Sequence, residues 1–169
     1  INILRSMGAD IQLHNERNEG AEPVADIEVR ASDLQGIEID PAQVPLAIDE
    51  FPALFIAAAC AQGTTTLRGA EELRVKESDR IAVMAEGLST LGVAVDVYPD
   101  GISITGGPIQ GGTVESHGDH RIAMSFAVAA LRAEADIVVR DCANVDTSFP
   151  GFVELAKSTG LRVTENNHG

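Results

Sequence analysis

Asp49-Glu50-Phe51-Pro52-Ala53-Leu54-Phe55-Ile56-Ala57-Ala58-Ala59-Cys60-Ala61 reads as a helix with no polar face. A helix on the surface of a domain keeps polar side chains on its outer side, so a helix apolar all round has to be enclosed by protein. Gly118-Asp119-His120-Arg121-Ile122-Ala123-Met124-Ser125-Phe126-Ala127-Val128-Ala129-Ala130-Leu131 repeats the arrangement about seventy residues later. Both apolar stretches, 51–61 and 122–131, are rich in alanine, which lets neighbouring backbones approach closely. Their polar residues stand at the N-terminal ends: Asp49-Glu50 before the first helix, Asp119-His120-Arg121 before the second.

Working outward, short strand signals bounded by Gly, Asp or Pro fall at 11–14, 26–30, 64–68, 93–97, 102–105, 137–140 and 161–164. Ile81, Met84, Ala85, Leu88 and Leu91 recur at helical spacing and leave Glu86, Ser89 and Thr90 outside. That pattern predicts a surface helix on a sheet, with Gly92 as its left-handed C-cap. Pro99-Asp100-Gly101 marks a hairpin turn within 93–105. One phrase occurs three times: Leu4-Arg5-Ser6-Met7-Gly8-Ala9, Leu88-Ser89-Thr90-Leu91-Gly92-Val93 and Ala156-Lys157-Ser158-Thr159-Gly160-Leu161. The repetition divides the chain into 1–48, the end of a preceding unit, followed by units at 49–118 and 119–169. Buried helices among strands favour a compact α/β domain over a solenoid. The opening residues look like the end of a helix, so the chain is expected to be a piece of something longer.

Charge and composition exclude several classes. Of 169 residues, 26 are acidic and 12 basic, giving −14, which argues against nucleic acid or an anionic membrane as partner. The excess is greatest in residues 1–50, at −8 from eleven acids and three bases. An anion site therefore has to be built from a few local cations. The longest apolar run, 53–61, is nine residues and too short to span a bilayer. Cys60 and Cys142 stand alone, and His14, His117 and His168 lack metal-ligand spacing, so no metal and no cofactor are expected. A reduced, cytoplasmic setting follows from that cysteine usage.

Chemistry concentrates in two clusters. Arg74-Val75-Lys76-Glu77-Ser78-Asp79-Arg80 sits where a strand passes into a helix. Its plain reading is a solvated helix start, with Ser78 capping, Glu77 and Asp79 complementing the dipole, and Arg80 paired to an acid. Cations at a helix N-terminus oppose the macrodipole, however, and gain a purpose if an anion lies between them. Lys76 and Arg80, four apart, share a face if the helix begins by Lys76. Gly118-Asp119-His120-Arg121 is the second cluster, and Asp49 holds the matching place before the first buried helix. There it is read as the cap, with Pro52 just inside. Gly106-Gly107 and Gly111-Gly112 lack the Gly-Lys-Ser/Thr ending of a phosphate loop and read as turns. Phe149-Pro150-Gly151 reads as the start of a helix with Pro near its first position.

Leu73-Arg74-Val75-Lys76-Glu77-Ser78-Asp79-Arg80 and Gly118-Asp119-His120-Arg121-Ile122-Ala123-Met124-Ser125 resemble signature stretches of the EPSP synthase (3-phosphoshikimate 1-carboxyvinyltransferase) family. Thr64-Thr65-Thr66-Leu67-Arg68-Gly69 and Thr147-Ser148-Phe149-Pro150-Gly151-Phe152 extend the likeness over essentially the whole chain, matching the C-terminal part of the enzyme. The resemblance implies a lobe of βαβαββ units with helices buried inside sheets, an inside-out α/β barrel. It also implies transfer of the enolpyruvyl group of phosphoenolpyruvate to the 5-hydroxyl of shikimate 3-phosphate in the shikimate pathway, by addition and elimination. Asp49 would hold shikimate hydroxyls and take a proton; Lys76 and Glu77 would contact substrate and shuttle protons. Arg80 and Arg121 would bind phosphoenolpyruvate, and His120, beside the same site, would be catalytic together with Asp49 and Glu77. Many family members carry Lys where this chain has Thr147, a departure that resembles the more divergent branch associated with altered glyphosate sensitivity. The N-terminal lobe would be the missing partner, and the chain alone is expected to be inactive. Two other readings remain: a UDP-N-acetylglucosamine enolpyruvyl transferase fragment, and a non-catalytic anion-binding module on the same scaffold.

Overall fold

A computed structural model describes residues 1–165; His168 lies outside the described residues. A short helix, α1 (Asn2–Ser6), leads into a hairpin of β1 (Asp10–Glu19) and β2 (Glu22–Arg30). These strands run well beyond the expected segments. The ladder survives a register shift between His14 and Arg17 because Asn15 takes a left-handed conformation (φ 52°) and its side-chain amide donates to Asp26.

The first apolar stretch forms α2 (Phe51–Ala59), with Phe51, Pro52, Leu54, Phe55, Ile56, Ala58 and Ala59 all buried. Next come β3 (Thr64–Leu67), α3 (Arg80–Thr90), β4 (Ala94–Tyr98) and β5 (Gly101–Thr105). The three strands make an antiparallel sheet in the order β3-β5-β4, and the hairpin turns at Pro99-Asp100 as the sequence indicates. Alternation along the strands puts Thr65, Leu67, Ile102 and Ile104 inward. On the opposite face, Thr64 meets Thr105 and Thr66 meets Ser103 through paired hydroxyls. Helix α3 buries the expected stripe, Ile81, Met84, Ala85 and Leu88. At Gly87 it lies so close to the second apolar helix that an added Cβ would stand 2.3 Å from the ring tip of Phe126.

The chain then enters β6 (Gly112–Glu115), crosses over through α4 (His120–Ala129) and returns as β7 (Ile137–Arg140), parallel to β6. Strand β6 was not expected; its glycine-rich approach reads as turn, and its partner lies beyond a whole helix. Helices α5 (Asn144–Ser148) and α6 (Phe152–Ser158) follow. Pro150 sits in the turn between them rather than at the first position of α6, because Gly151 in the left-handed region (φ 82°) supplies the N-cap. The strand expected at 161–164 does not form. Leu161 is instead used in closing α6, its N–H donating to the Ala156 carbonyl.

That closure is the thrice-repeated phrase in structural form. Ala9 donates to Leu4, Val93 to Leu88 and Leu161 to Ala156, while Gly8, Gly92 and Gly160 donate to Arg5, Ser89 and Lys157. The three glycines have φ of 94°, 82° and 100°, which only a residue without Cβ takes cheaply. Each repeat is thus a helix ending turned by a Schellman motif.

One core cluster links α1, α2, α3 and α4 to the sheets. Among the described residues the enclosure of the two apolar helices has a gap: Ala53 on α2 is exposed, Val128 on α4 is 46% exposed, and Leu131 just beyond is 59% exposed. Full enclosure, expected from the lack of a polar face, is therefore met on all sides but this one, against which no described element packs.

Candidate functional site

The site grows from the N-terminal ends of α2, α3 and α4. A 3₁₀ turn (Ile48–Glu50) precedes α2 and moves the cap position to Glu50, whose side chain makes no cap bond. Asp49 is consequently not the cap that the sequence suggested, and its carboxylate is available elsewhere. It accepts from Arg80 Nη1 at 2.9 Å and lies 3.7 Å from Lys76 Nζ. The Arg80 hydrogen bond holds the Asp49 carboxyl below its ordinary value; partial burial works against this, and the charges of Lys76 and Arg121 add to it.

Helix α3 begins at Arg80, later than a shared helical face for Lys76 and Arg80 would need. Asp79, not Ser78, caps it by accepting from the Ala82 N–H at 3.0 Å. Lys76 and Glu77 lie in the irregular loop before the cap, after a 3₁₀ turn (Glu71–Val75). Lys76 pairs with Glu72 at 2.6 Å, and that bond raises its pKa against an opposing effect of desolvation.

Arg80 is the centre. Its side chain is 0% exposed, with Nε on Asp119 at 2.9 Å, Nη1 on Asp49 and Nη2 on Glu77 at 2.5 Å. Burial opposes its charge, but the hydrogen bonds it donates to Asp119 and Asp49, with the charges of the carboxylates, more than offset that and keep its pKa above the ordinary value. Asp119, also 0% exposed, was read from the sequence only as part of a helix start. One of its oxygens caps α4 through the N–H groups of Arg121 and Ile122; the other accepts from Arg80 and from the Ser78 hydroxyl at 3.1 Å. It therefore joins the mouths of two helices. Its match to Asp49 in the repeat was the available signal.

Arg121, in the first turn of α4, reaches back to the Asp49 carbonyl at 3.1 Å and to Glu50 at 3.4 Å, with its side chain 33% exposed. Five of the six expected residues, Asp49, Lys76, Glu77, Arg80 and Arg121, thus form one connected cluster. His120 does not join it: among the described residues its side chain makes no hydrogen bond, although it opens α4 beside Arg121. The three cations Lys76, Arg80 and Arg121 meet five carboxylates, Asp49, Glu50, Glu72, Glu77 and Asp119, so the acids outnumber the bases in the cluster as they do in the chain. Thr147 lies exposed in α5.

A shallow cavity of about 180 Å³ opens next to the cluster, with Asp49, Glu50 and Arg121 on its rim and Pro52, Ala53, Met124 and Val128 among its walls. That is smaller than the roughly 300–1,000 Å³ typical of a small-molecule pocket. Lys76, Glu77 and Arg80 do not line it. The arrangement offers an exposed cation, a carboxylate held ionised, and a second carboxylate on a loop, which are the parts for binding an anion and moving a proton beside it. Among the described residues no group of His, Cys, Asp or Glu is placed to hold a metal ion, and no helix is long and apolar enough to cross a membrane.

The family model for EPSP synthase (3-phosphoshikimate 1-carboxyvinyltransferase) matches residues 1–155. The 3-phosphoshikimate 1-carboxyvinyltransferase of Alkalilimnicola ehrlichii is 64% identical over 168 residues, covering 99% of this chain and 38% of that protein. Its counterpart from Methylococcus capsulatus is 63% identical over 163 residues, covering 96% and 37%. The chain thus spans well under half the length of these curated relatives. Among solved structures, an EPSP synthase from Acinetobacter baumannii superposes with a TM-score of 0.93 at 54% identity, over 97% of this chain and 39% of that one. The enolpyruvyl transferase NikO from Streptomyces tendae, at 21% identity and a TM-score of 0.70 over 98% of this chain and 35% of that one, shares the fold.

Proposed function

Since the chain belongs to the EPSP synthase family, we propose that it supplies part of a site where the enolpyruvyl group of phosphoenolpyruvate passes to the 5-hydroxyl of shikimate 3-phosphate. The observation carrying this reading is the cluster at the three helix mouths, where Arg80 is sunk among carboxylates and Arg121 remains partly exposed. In the addition step the 5-hydroxyl oxygen bonds to the central enol carbon, its proton leaves to a base, and the methylene carbon gains a proton. In the elimination step the resulting ketal loses phosphate and a methyl proton, restoring the double bond. Asp49, held ionised by Arg80, is suited to accept hydrogen bonds from substrate hydroxyls, and taking the 5-hydroxyl proton is the role that the family resemblance gives it. Glu77, on a loop with its side chain 51% exposed, is suited to carry a proton between solvent and the reacting carbon.

The two arginines then differ in task. Arg80 has each of its nitrogens committed to a carboxylate, so it is the positive anchor that fixes Asp49 and Glu77. Arg121 is held by a carbonyl and one long ion pair, so it is the cation best able to turn to an incoming phosphate or carboxylate. The reaction is placed in the cytoplasm, and the remaining walls of the small cavity are assigned to the rest of the relatives' length. The division into 1–48, 49–118 and 119–169 belongs to the same reading and is supported by the three identical helix closures.

Phosphate release with both substrates tests this. The chain alone is expected to release no more than its Arg121→Ala variant, whereas the chain extended to the length of its relatives turns over and loses at least about tenfold on that substitution. Turnover by the isolated chain above the variant, or an unaffected long form, would refute the assignment.

A further inference from the structure

Lys76 and Glu77 sit on a loop with no regular structure of its own. Its side chains meet Asp49, Arg80 and Asp119 in the site, and a further hold comes from outside it. Arg74, at the loop's start, spends its guanidinium on three fixed acceptors: Nη1 on Asp79 at 2.8 Å, Nε on the Pro99 carbonyl at 2.7 Å and Nη2 on the Tyr98 carbonyl at 2.6 Å. The Arg74–Asp79 pair closes a ring around Lys76 and Glu77, and Asp79 with its other oxygen caps α3. The far end of the clasp is itself anchored. Asp100 in the same β4–β5 turn accepts from the Gly69 N–H and from Arg68, whose guanidinium lies 4.5 Å from the centre of the Tyr98 ring. Arg74 makes none of its hydrogen bonds to Asp49, Glu77, Arg80 or Arg121.

We propose that Arg74 is a positioning residue, its guanidinium clasping the loop so that Lys76 and Glu77 are delivered to Asp49 and Arg80. The proposal rests on the functional reading above. A planar fork with donors in three directions suits two carbonyls and a carboxylate at once; a lysine ammonium at the end of a flexible stem does not reproduce it. Small misplacements of a reacting group cost large factors in rate, of the order of a hundredfold per ångström.

The experiment uses the enzyme at the length of its relatives, assayed by phosphate release, with Arg74→Met, Arg74→Lys, Arg68→Met, Glu77→Ala and the Arg74→Met/Glu77→Ala pair. Arg68→Met loosens the same turn without touching the loop. Arg74→Met is expected to lower kcat/KM by roughly tenfold or more and Arg74→Lys to fall between it and the parent, with Arg68→Met within about threefold. On the Glu77→Ala background, Arg74→Met is expected to cost less than it does in the parent, since one of the two groups it positions has gone. An Arg68→Met loss equal to that of Arg74→Met, or full multiplication of the two losses in the pair, would overturn the proposal. Wild-type turnover by Glu77→Ala would overturn the functional reading first and this one with it. If Arg74→Met does not fold, Asp79→Asn decides: it keeps an oxygen for the Ala82 N–H while losing the charge facing Arg74, and a loss under about threefold counts against the clasp.

Discussion

Asp119→Asn isolates the buried junction between α3 and α4. Asparagine keeps an oxygen to accept from the Arg121 and Ile122 N–H groups, so the α4 cap is retained. It places an amide where a carboxylate oxygen now accepts from Arg80 Nε and Ser78 Oγ, leaving a buried donor facing a donor. Breaking a buried ion pair by removing one partner costs about 3–5 kcal/mol. Arg80 keeps Asp49 and Glu77, so the low end, about 3 kcal/mol, is expected. For a chain of this size that corresponds to a fall of roughly 6–12 °C in Tm. Asp119→Ala should cost about 1 kcal/mol more, because the cap is lost as well. Urea unfolding of the two variants, of Arg80→Met and of the Arg80→Met/Asp119→Asn pair gives the values. The pair should be less destabilised than the sum of its singles, since with Arg80 and Asp119 both replaced no fully buried charge is left without its partner. A loss under about 1 kcal/mol for Asp119→Asn, or strict additivity in the pair, would refute the picture of a coupled buried junction.

Acid should act through Asp49 and Asp100, whose carboxyls are both held below their ordinary value of 3.8, by the Arg80 hydrogen bond and by the Gly69 N–H respectively. A depressed folded pKa gives stability that is full above the unfolded value and is lost as pH falls through the folded one. Tm is therefore expected to decline below about pH 4, and Asp49→Asn should flatten that decline; an unchanged acid limb would count against the Arg80–Asp49 bond. Gly87→Ala sets two effects against each other: alanine is favoured in a helix by about 1 kcal/mol. Its Cβ would, however, stand 2.3 Å from Phe126, whose side chain is fully buried, so the ring or the helix must shift. A net loss of about 1–2 kcal/mol is expected in urea unfolding, and a stabilised variant would show that α3 and α4 can separate.

The legible parts of the fold are those written in local periodicity. The two apolar helices, the buried stripe of α3 and the Pro99-Asp100 turn need only residues within a few turns of one another. Strand β6 was hidden because a parallel partner beyond α4 leaves no mark in four residues that begin with glycine. The segment 161–164 misled because its alternation of apolar and polar residues is used to close a helix rather than to pair with a strand. In the site the same contrast holds. Charged motifs marked Lys76, Glu77, Arg80 and Arg121, yet their partners could not be read from spacing, since Arg80 meets Asp49 and Asp119 across 31 and 39 residues. Asp119 was legible only as part of a helix start, since nothing in a sequence tells that one carboxylate serves two helices.

The burial of Arg80 also bears on how an acidic chain holds an anionic ligand. With a net charge of −14, the chain as a whole repels anions, and any attraction must come from cations that neighbouring acids have not neutralised. Arg80 is outnumbered by Asp119, Asp49 and Glu77, which meet its three nitrogens, and its side chain is 0% exposed. Lys76 is tied to Glu72. Arg121, with its carbonyl acceptor and its long contact to Glu50, is the cation whose partners are weakest. Binding strength should therefore respond more steeply to Arg121 than to Lys76, and Glu50→Gln should tighten the binding of inorganic phosphate by removing the nearest competing anion. In a titration series at fixed ionic strength, weaker binding by Glu50→Gln would mean that Glu50 orients Arg121 rather than competing for it.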